Sequence, residues 1–301
     1  FTIIISDVIK TEDIHSIAKN ICEAISTEFM IQGHSINVST SVGITCFPHD
    51  ATTDEEILIN ADQAMYASKN SGRNRYTFFT DSMRESRNER SRILRDLRKA
   101  VDENQLELFY QPIIDFETGK LVKAEALIRW HHPEKGLVYP GAFIELAEES
   151  GMIHEIGEWT FKTAALNAAD WRKKYEPNFQ VSLNTSPMQY RESGINVDAW
   201  GRYLTANGIC GAAIIVEITE GLLMESSPAV KKKLLDLRDT GIEVAIDDFG
   251  TGYSSLSYMK KFDIDYLKID QSFISTLSPE SEDLALCEAI IVMAHKLGCK
   301  V

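Results

Sequence analysis

From Gln105 onward the chain alternates strand-like and helix-like segments, and this alternation restricts its fold more than any other feature. "LELFYQPII", "LVKAEALIRW", "FQVSLN", "AIIVEIT", "IEVAID" and "DYLKID" are short apolar or alternating runs of the kind that form strands. Longer stretches with helical spacing, such as "GEWTFKTAALNAADWRKKY" and "PAVKKKLLDLRDTG", separate most of them. Repeated βα units build a parallel sheet, open or closed into a barrel. Glu217 and Asp247, both at strand ends, lie one βα unit apart. The expected fold class is α/β: a (β/α)₈ TIM-like barrel, incomplete at its C-terminus.

In such a barrel the C-terminal strand ends converge on one face, where active sites lie. Here they carry Glu125, Asn184, Glu217, Asp247 with Asp248, and Lys268 with Asp270. A mouth this rich in carboxylates requires cations. Hard oxygen donors, with no matching His or Cys cluster, point to Mg²⁺ or Mn²⁺ rather than zinc. Adjacent strand residues face opposite ways, so Asp247 and Asp248 reach one site only where the strand gives way to a loop. Two metals sharing Asp247 would relieve their repulsion. Each residue has an ordinary structural alternative: Asp248 as a helix cap, Asn184 as a turn former, Glu217 as a surface acid, Lys268 as a snorkelling cation. Their shared position at strand ends favours a metal site. The pair His131 and His132 has no partner spacing and reads as structural. Spacing alone leaves two chemistries open, metal-assisted phosphoester hydrolysis and enolase-like proton abstraction.

Residues 1–80 have a different organisation: strand ("FTIIIS"), helix ("EDIHSIAKNICEAIS"), strand ("INVSTSVGITCF"), helix ("TDEEILINADQAMYASKN", capped by Thr53 or Asp54) and strand ("SGRNRYTFF"). Residues 81–104 form a charged connecting helix leading to the barrel, with Ile93, Leu94, Leu97 and Val101 as its apolar stripe. A formal charge of −14 excludes a general nucleic-acid binder but not a small phosphorylated substrate held through metal ions. No apolar run is long enough to span a bilayer. Five scattered cysteines without CxxC spacing suit a reducing cytoplasm. Both ends read as cut from something longer.

"YQPI" followed by "EALIRW" resembles the EAL family of cyclic di-GMP phosphodiesterases, and "SLNTSP", "EITE", "IDDFGTGYSSL" and "LKIDQSF" resemble that family's further motifs in the same order. The likeness covers about residues 90–301. Residues 1–80, through "FTIII", "SVGITCFP" and "ADQAMYASKNSGRNRYTFF", resemble the C-terminal half of a GGDEF domain. The resemblance implies hydrolysis of cyclic di-GMP to linear 5'-pGpG. Its metal ligands would be Glu125, Asn184, Glu217, Asp247 and Asp248. Lys268 would contact the attacking water and Asp270 would lie in the active site. Gln111 and Arg129 would contact substrate, and Glu220 would hold the "DDFGTGYSS" loop. Thr185 stands where the family usually has an apolar residue. The family's remaining site residues would follow Val301, so the stretch ending there is expected to be inactive by itself. The implied partners are cyclic di-GMP, GTP at the GGDEF half and a second copy of the chain. The implied location is cytoplasmic, either as a free protein or as the cytoplasmic part of a membrane-anchored sensor. The alternative is a non-catalytic cyclic di-GMP receptor.

Overall fold

The computed structural model describes residues 1–301 except positions 7, 9, 192, 193, 225, 226, 252–261, 263 and 279. It forms two compact units, Phe1–Ile93 and Leu94–Val301.

In the first unit, helix α1 (Thr11–Ile25) precedes a small antiparallel hairpin, β1 (Phe29–Ile31) and β2 (His34–Ile36). Strand β3 (Ser41–Ile44) pairs in parallel with β4 (Arg75–Phe78) across helix α2 (Asp54–Asn70). Thr53 caps α2 as expected, its side chain accepting from the Glu56 amide at 3.2 Å, and three acids follow in the first turn. Two expectations change. Phe1–Ser6 is exposed and forms no strand, because an apolar run becomes a strand only when a partner satisfies its backbone groups. The long strand expected over "INVSTSVGITCF" is divided, its start joining the hairpin and its centre joining β4.

Helix α3 (Asp81–Ala100) bridges the boundary between the units, with Ile93, Leu97 and Ala100 buried. The second unit then builds one sheet from β5 (Leu106–Ile114), β6 (Leu121–His132), β7 (Gly136–Val138), β8 (Gln180–Asn184), β9 (Ile214–Thr219), β10 (Glu243–Phe249) and β11 (Tyr266–Ile269). From β6 through β8, β9, β10 and β11 every pairing is parallel and the spatial order follows the chain, as in a singly wound barrel. Lys300 adds a parallel bridge beside Tyr266. β5 departs from the expected βα repeat: it runs antiparallel to β6. The connection is a short turn in which Asp115 accepts from the Thr118 amide and hydroxyl, and a parallel crossover needs a dozen or more residues.

Helices α4 (Ile144–Ser150), α5 (Ile153–Lys174), α6 (Val197–Ala206), α7 (Glu220–Met224), α8 (Pro228–Asp239), α9 (Gln271–Ser275) and α10 (Glu282–Leu297) follow their strands. α5 buries Ile156, Phe161, Ala164, Ala165 and Ala168 at helical spacing, and its small residues allow close approach to the sheet. The Phe161 ring stacks on Trp200 of α6 with centroids 3.9 Å apart. β8 and β9 are buried at every residue but the last, and β9 is apolar along most of its length. This is the pattern of strands covered on both faces.

Candidate active site

The parallel register brings the strand ends level. Glu125 lies beside Ser182, Asn184 beside Glu217, and Asp247 beside Thr219. Antiparallel pairing sets Gln111 of β5 directly across from Glu125. Residues up to 143 positions apart in sequence thus meet at one end of the sheet.

Their centre is the ammonium of Lys268 on β11. It lies 2.5 Å from Glu217 Oε2, 3.0 Å from Asp247 Oδ1 and 3.2 Å from Glu125 Oε2. The Asn184 amide donates to Glu125 Oε1 at 2.7 Å, fixing that carboxylate's second oxygen. The Glu217 side chain is 1% exposed. Burial pushes its carboxyl above the ordinary range, against the opposing pull of Lys268. Burial lowers the Lys268 pKa, but Glu217, Glu125 and Asp247 outweigh it and the net shift is upward. Lys268 is therefore held as a cation by three carboxylates.

The adjacent aspartates are accommodated differently from the strand-to-loop transition expected. β10 continues through Asp248 to Phe249, but Asp248 adopts φ +52° and the register with β11 shifts between Ile246 and Phe249. This left-handed residue within a bulge breaks the alternation; Asp247 Oδ1 lies 3.0 Å from Lys268, and the Lys268 charge acts on Asp248 as well. Aspartate tolerates that conformation better than most residues. Burial raises the Asp248 carboxyl first, and the charges of Asp247 and Asp270 add to the shift. The side chains of Asp248 and Asp270 share a hydrogen bond, which raises the former carboxyl and lowers the latter.

Asp270 also has a local role. Its side chain caps α9, accepting from the Ser272 amide at 2.8 Å and from the Ser272 hydroxyl. These bonds hold its carboxyl below the ordinary range. Glu220, at the start of α7, is buried; Oε2 accepts from the Gly250 amide at 3.3 Å, and Oε1 finds no partner among the described residues. Gly250 begins the "GTGYSS" loop that Glu220 is expected to hold, but Gly252 to Leu256 lie outside the described residues.

Arg129 is not among the residues around Lys268. It lies further along β6, opposite Glu107, with its guanidinium over the rings of Phe109 and Tyr139. His131 pairs with Glu107 at 2.5 Å. His132 is buried; its Nδ1 accepts from the Glu134 and Lys135 amides, so Nε2 carries the proton donated to Asp96. Thr185 is a site-building residue whose role was not legible in the sequence. Its hydroxyl donates to the Glu217 carbonyl at 2.7 Å and bonds the Tyr190 hydroxyl, tying the end of β8 to β9.

Among the described residues no three His, Cys, Asp or Glu side chains form a ready-made metal cage. The carboxylates face Lys268 instead. The donor set, three carboxylates already drawn to one cation with the Asn184 amide beside Glu125, fits a hard divalent ion. Sequence positions that could hold it are Glu125, Asn184, Glu217 and Asp247, with Asp248 beside them.

Residues 94–301 match the family described as EAL domain, and residues 1–75 the one described as diguanylate cyclase, GGDEF domain. Over 289 residues, 96% of the chain, the sequence is 38% identical to the bifunctional diguanylate cyclase/cyclic di-GMP phosphodiesterase MucR of Pseudomonas aeruginosa, covering 42% of that protein. It is 33% identical to the cyclic di-GMP phosphodiesterase NbdA of the same organism over 99% of the chain and 38% of NbdA. The chain therefore spans less than half the length of these curated relatives. The solved MucR phosphodiesterase in complex with cyclic di-GMP superposes with a TM-score of 0.65 at 37% identity, covering 69% of this chain and 84% of that one. The EAL enzyme Bd1971 in its cAMP-bound form gives 0.64 at 31% identity, over 71% and 60%. Strand order, strand-end chemistry and sequence agree over the same residues, and the chain belongs to the EAL domain family, with a GGDEF segment ahead of it.

Proposed function

We propose that the protein containing this chain hydrolyses one phosphodiester bond of cyclic di-GMP to give linear 5'-pGpG, with Mg²⁺ or Mn²⁺ as cofactor, and that its GGDEF half regulates the reaction. The observation that carries this reading is the convergence of Glu125, Glu217 and Asp247 on Lys268. An enolase-like reaction has no comparable support, since the similar enzymes MucR and NbdA are named as cyclic di-GMP phosphodiesterases.

Glu125, Asn184, Glu217, Asp247 and Asp248 would hold two divalent ions. Bound there, the metals would supply Lewis-acid activation of the phosphodiester and of the attacking water. The protein's own residues position the reactants. Asn184 orients Glu125 through its 2.7 Å hydrogen bond. Lys268, set among Glu217, Asp247 and Glu125, is placed to donate to the water and to stabilise negative charge as it develops. Gln111, across from Glu125, contacts substrate at the mouth, and Arg129 takes a phosphate through its planar fork. Glu220 anchors the start of the loop after β10 through Gly250. Asp270 supports the site by its bond to Asp248 and by capping α9.

In this reading residues 1–80 are a GGDEF part that binds GTP, 81–104 a connecting helix, and 105–301 the phosphodiesterase part. The protein works in the cytoplasm as a homodimer. No helix among the described residues is long and apolar enough to cross a membrane. The test is incubation of the full-length protein with cyclic di-GMP and Mg²⁺, with chromatographic detection of pGpG. Tight binding without pGpG would support the receptor reading instead.

A further inference from the structure

β6 outruns the sheet. It pairs with β8 only as far as Ala126, but with β5 as far as Trp130 and with β7 over Trp130–His132. The result is a three-stranded antiparallel overhang, in the order β5, β6, β7, beyond the level of Glu125. Phe109 and Arg129 share a face of this overhang, because Phe109 pairs with Leu127 and Arg129 is two residues further along. Tyr139 immediately follows β7. The Arg129 Cζ lies 4.8 Å from the Tyr139 ring centre and 5.7 Å from that of Phe109, both within cation–π range.

Arg129 has no carboxylate partner among the described residues. Its Nη1 donates to the carbonyl of Ile128 at 2.8 Å. Glu107, directly across from it, is engaged by His131. The guanidinium is therefore supported by ring faces that do not neutralise it, which leaves its charge available to an anion. The rings themselves are open to solvent, Tyr139 at 60% and Phe109 at 41% exposure, so burial in the core does not explain their position.

We propose that Phe109 and Tyr139 are positioning residues: they clamp the Arg129 guanidinium on the overhang and aim it at a phosphate of the substrate. The proposal rests on the phosphodiesterase reading above. The clamp acts on substrate capture and not on the chemical step, which takes place at the strand ends around Lys268.

The experiment is steady-state hydrolysis of cyclic di-GMP by the full-length protein, with calorimetric binding in parallel, for Tyr139→Ala, Tyr139→Phe, Phe109→Ala, Arg129→Ala and the double variant Arg129→Ala/Tyr139→Ala. Tyr139→Ala and Phe109→Ala are expected to raise KM and Kd about two- to tenfold with little change in kcat. Tyr139→Phe keeps the ring face and is expected to rescue KM. The double variant is expected to be no worse than Arg129→Ala, since Tyr139 acts through the arginine. Thermal unfolding checks that the variants fold. Unchanged KM in folded Tyr139→Ala and Phe109→Ala, or additive losses in the double variant, would overturn the clamp while leaving the phosphodiesterase reading intact. Wild-type protein that neither binds nor cleaves cyclic di-GMP would overturn the underlying reading itself.

Discussion

Lys268 Nζ lies 2.5 Å from Glu217 Oε2, and the carboxylate it neutralises is almost completely buried. The pair joins β11 to β9 across β10 and defines the centre of the strand-end acids. A buried ion pair of this kind gives little net stability, but losing one partner leaves an uncompensated charge.

Lys268→Met is therefore expected to destabilise the EAL unit by about 3 kcal/mol and to abolish hydrolysis. Lys268→Met/Glu217→Gln should recover most of the stability and none of the activity. Urea unfolding of the two variants beside wild type checks this. A single variant as stable as wild type would show that Glu217 does not depend on the ammonium.

EDTA should abolish pGpG formation, and Mg²⁺ or Mn²⁺ should restore it. Ca²⁺, with its longer bonds and looser coordination, should not. Glu125→Ala should reduce turnover by several orders of magnitude in saturating Mg²⁺. Turnover in EDTA equal to that in Mg²⁺ would remove the basis for assigning these residues to a metal.

His132 should behave as a structural residue. It ties the turn after β6 to helix α3, accepting from two backbone amides and donating to Asp96. His132→Ala is expected to cost about 1–3 kcal/mol by leaving buried polar groups without partners. The kcat at temperatures where the variant is folded should be unaffected. Thermal unfolding and a metal titration separate the two roles, and a lowered metal affinity would contradict this assignment.

In the N-terminal unit, β3 and α2 approach each other closely at Gly43. A Cβ there would lie 1.9 Å from the Ala61 carbonyl oxygen and 2.2 Å from the Met65 amide nitrogen, both backbone atoms of α2. Gly43→Ala should destabilise this unit by about 1–3 kcal/mol, since the helix must shift to accept the methyl group. Circular dichroism melts should show it. An unchanged melt would mean that β3 and α2 are less tightly packed than these distances imply.

Much of the architecture is written in local pattern. β5 occupies the residues of "LELFYQPII", and β8, β9 and α8 differ from the runs that announce them by one or two residues. Their apolar spacing and end signals act between near neighbours in the chain, so they can be read without knowing the fold. The acids of β9 and β10 were recognisable for a related reason: they stand at or near the ends of strand-like runs, and parallel strands deliver such ends to one face. Glu125, by contrast, lies in the middle of β6 and joins them because that strand continues past its pairing with β8. Relations between distant segments were not legible. The antiparallel entry of β5 follows from a short turn, which reverses the chain where a helix would have carried it across. The apolar run at Phe1–Ser6 lacks only a partner, and a strand does not exist without one. Asp248 takes its left-handed conformation where the pairing of β10 with β11 shifts register, a relation that involves a strand about twenty residues further along. Neither Phe109 nor Tyr139 signals a role in sequence, since ring and guanidinium meet only once β5, β6 and β7 are in register. Local periodicity decides what each segment becomes. Register and pairing, which are properties of segments far apart in the chain, decide which side chains meet.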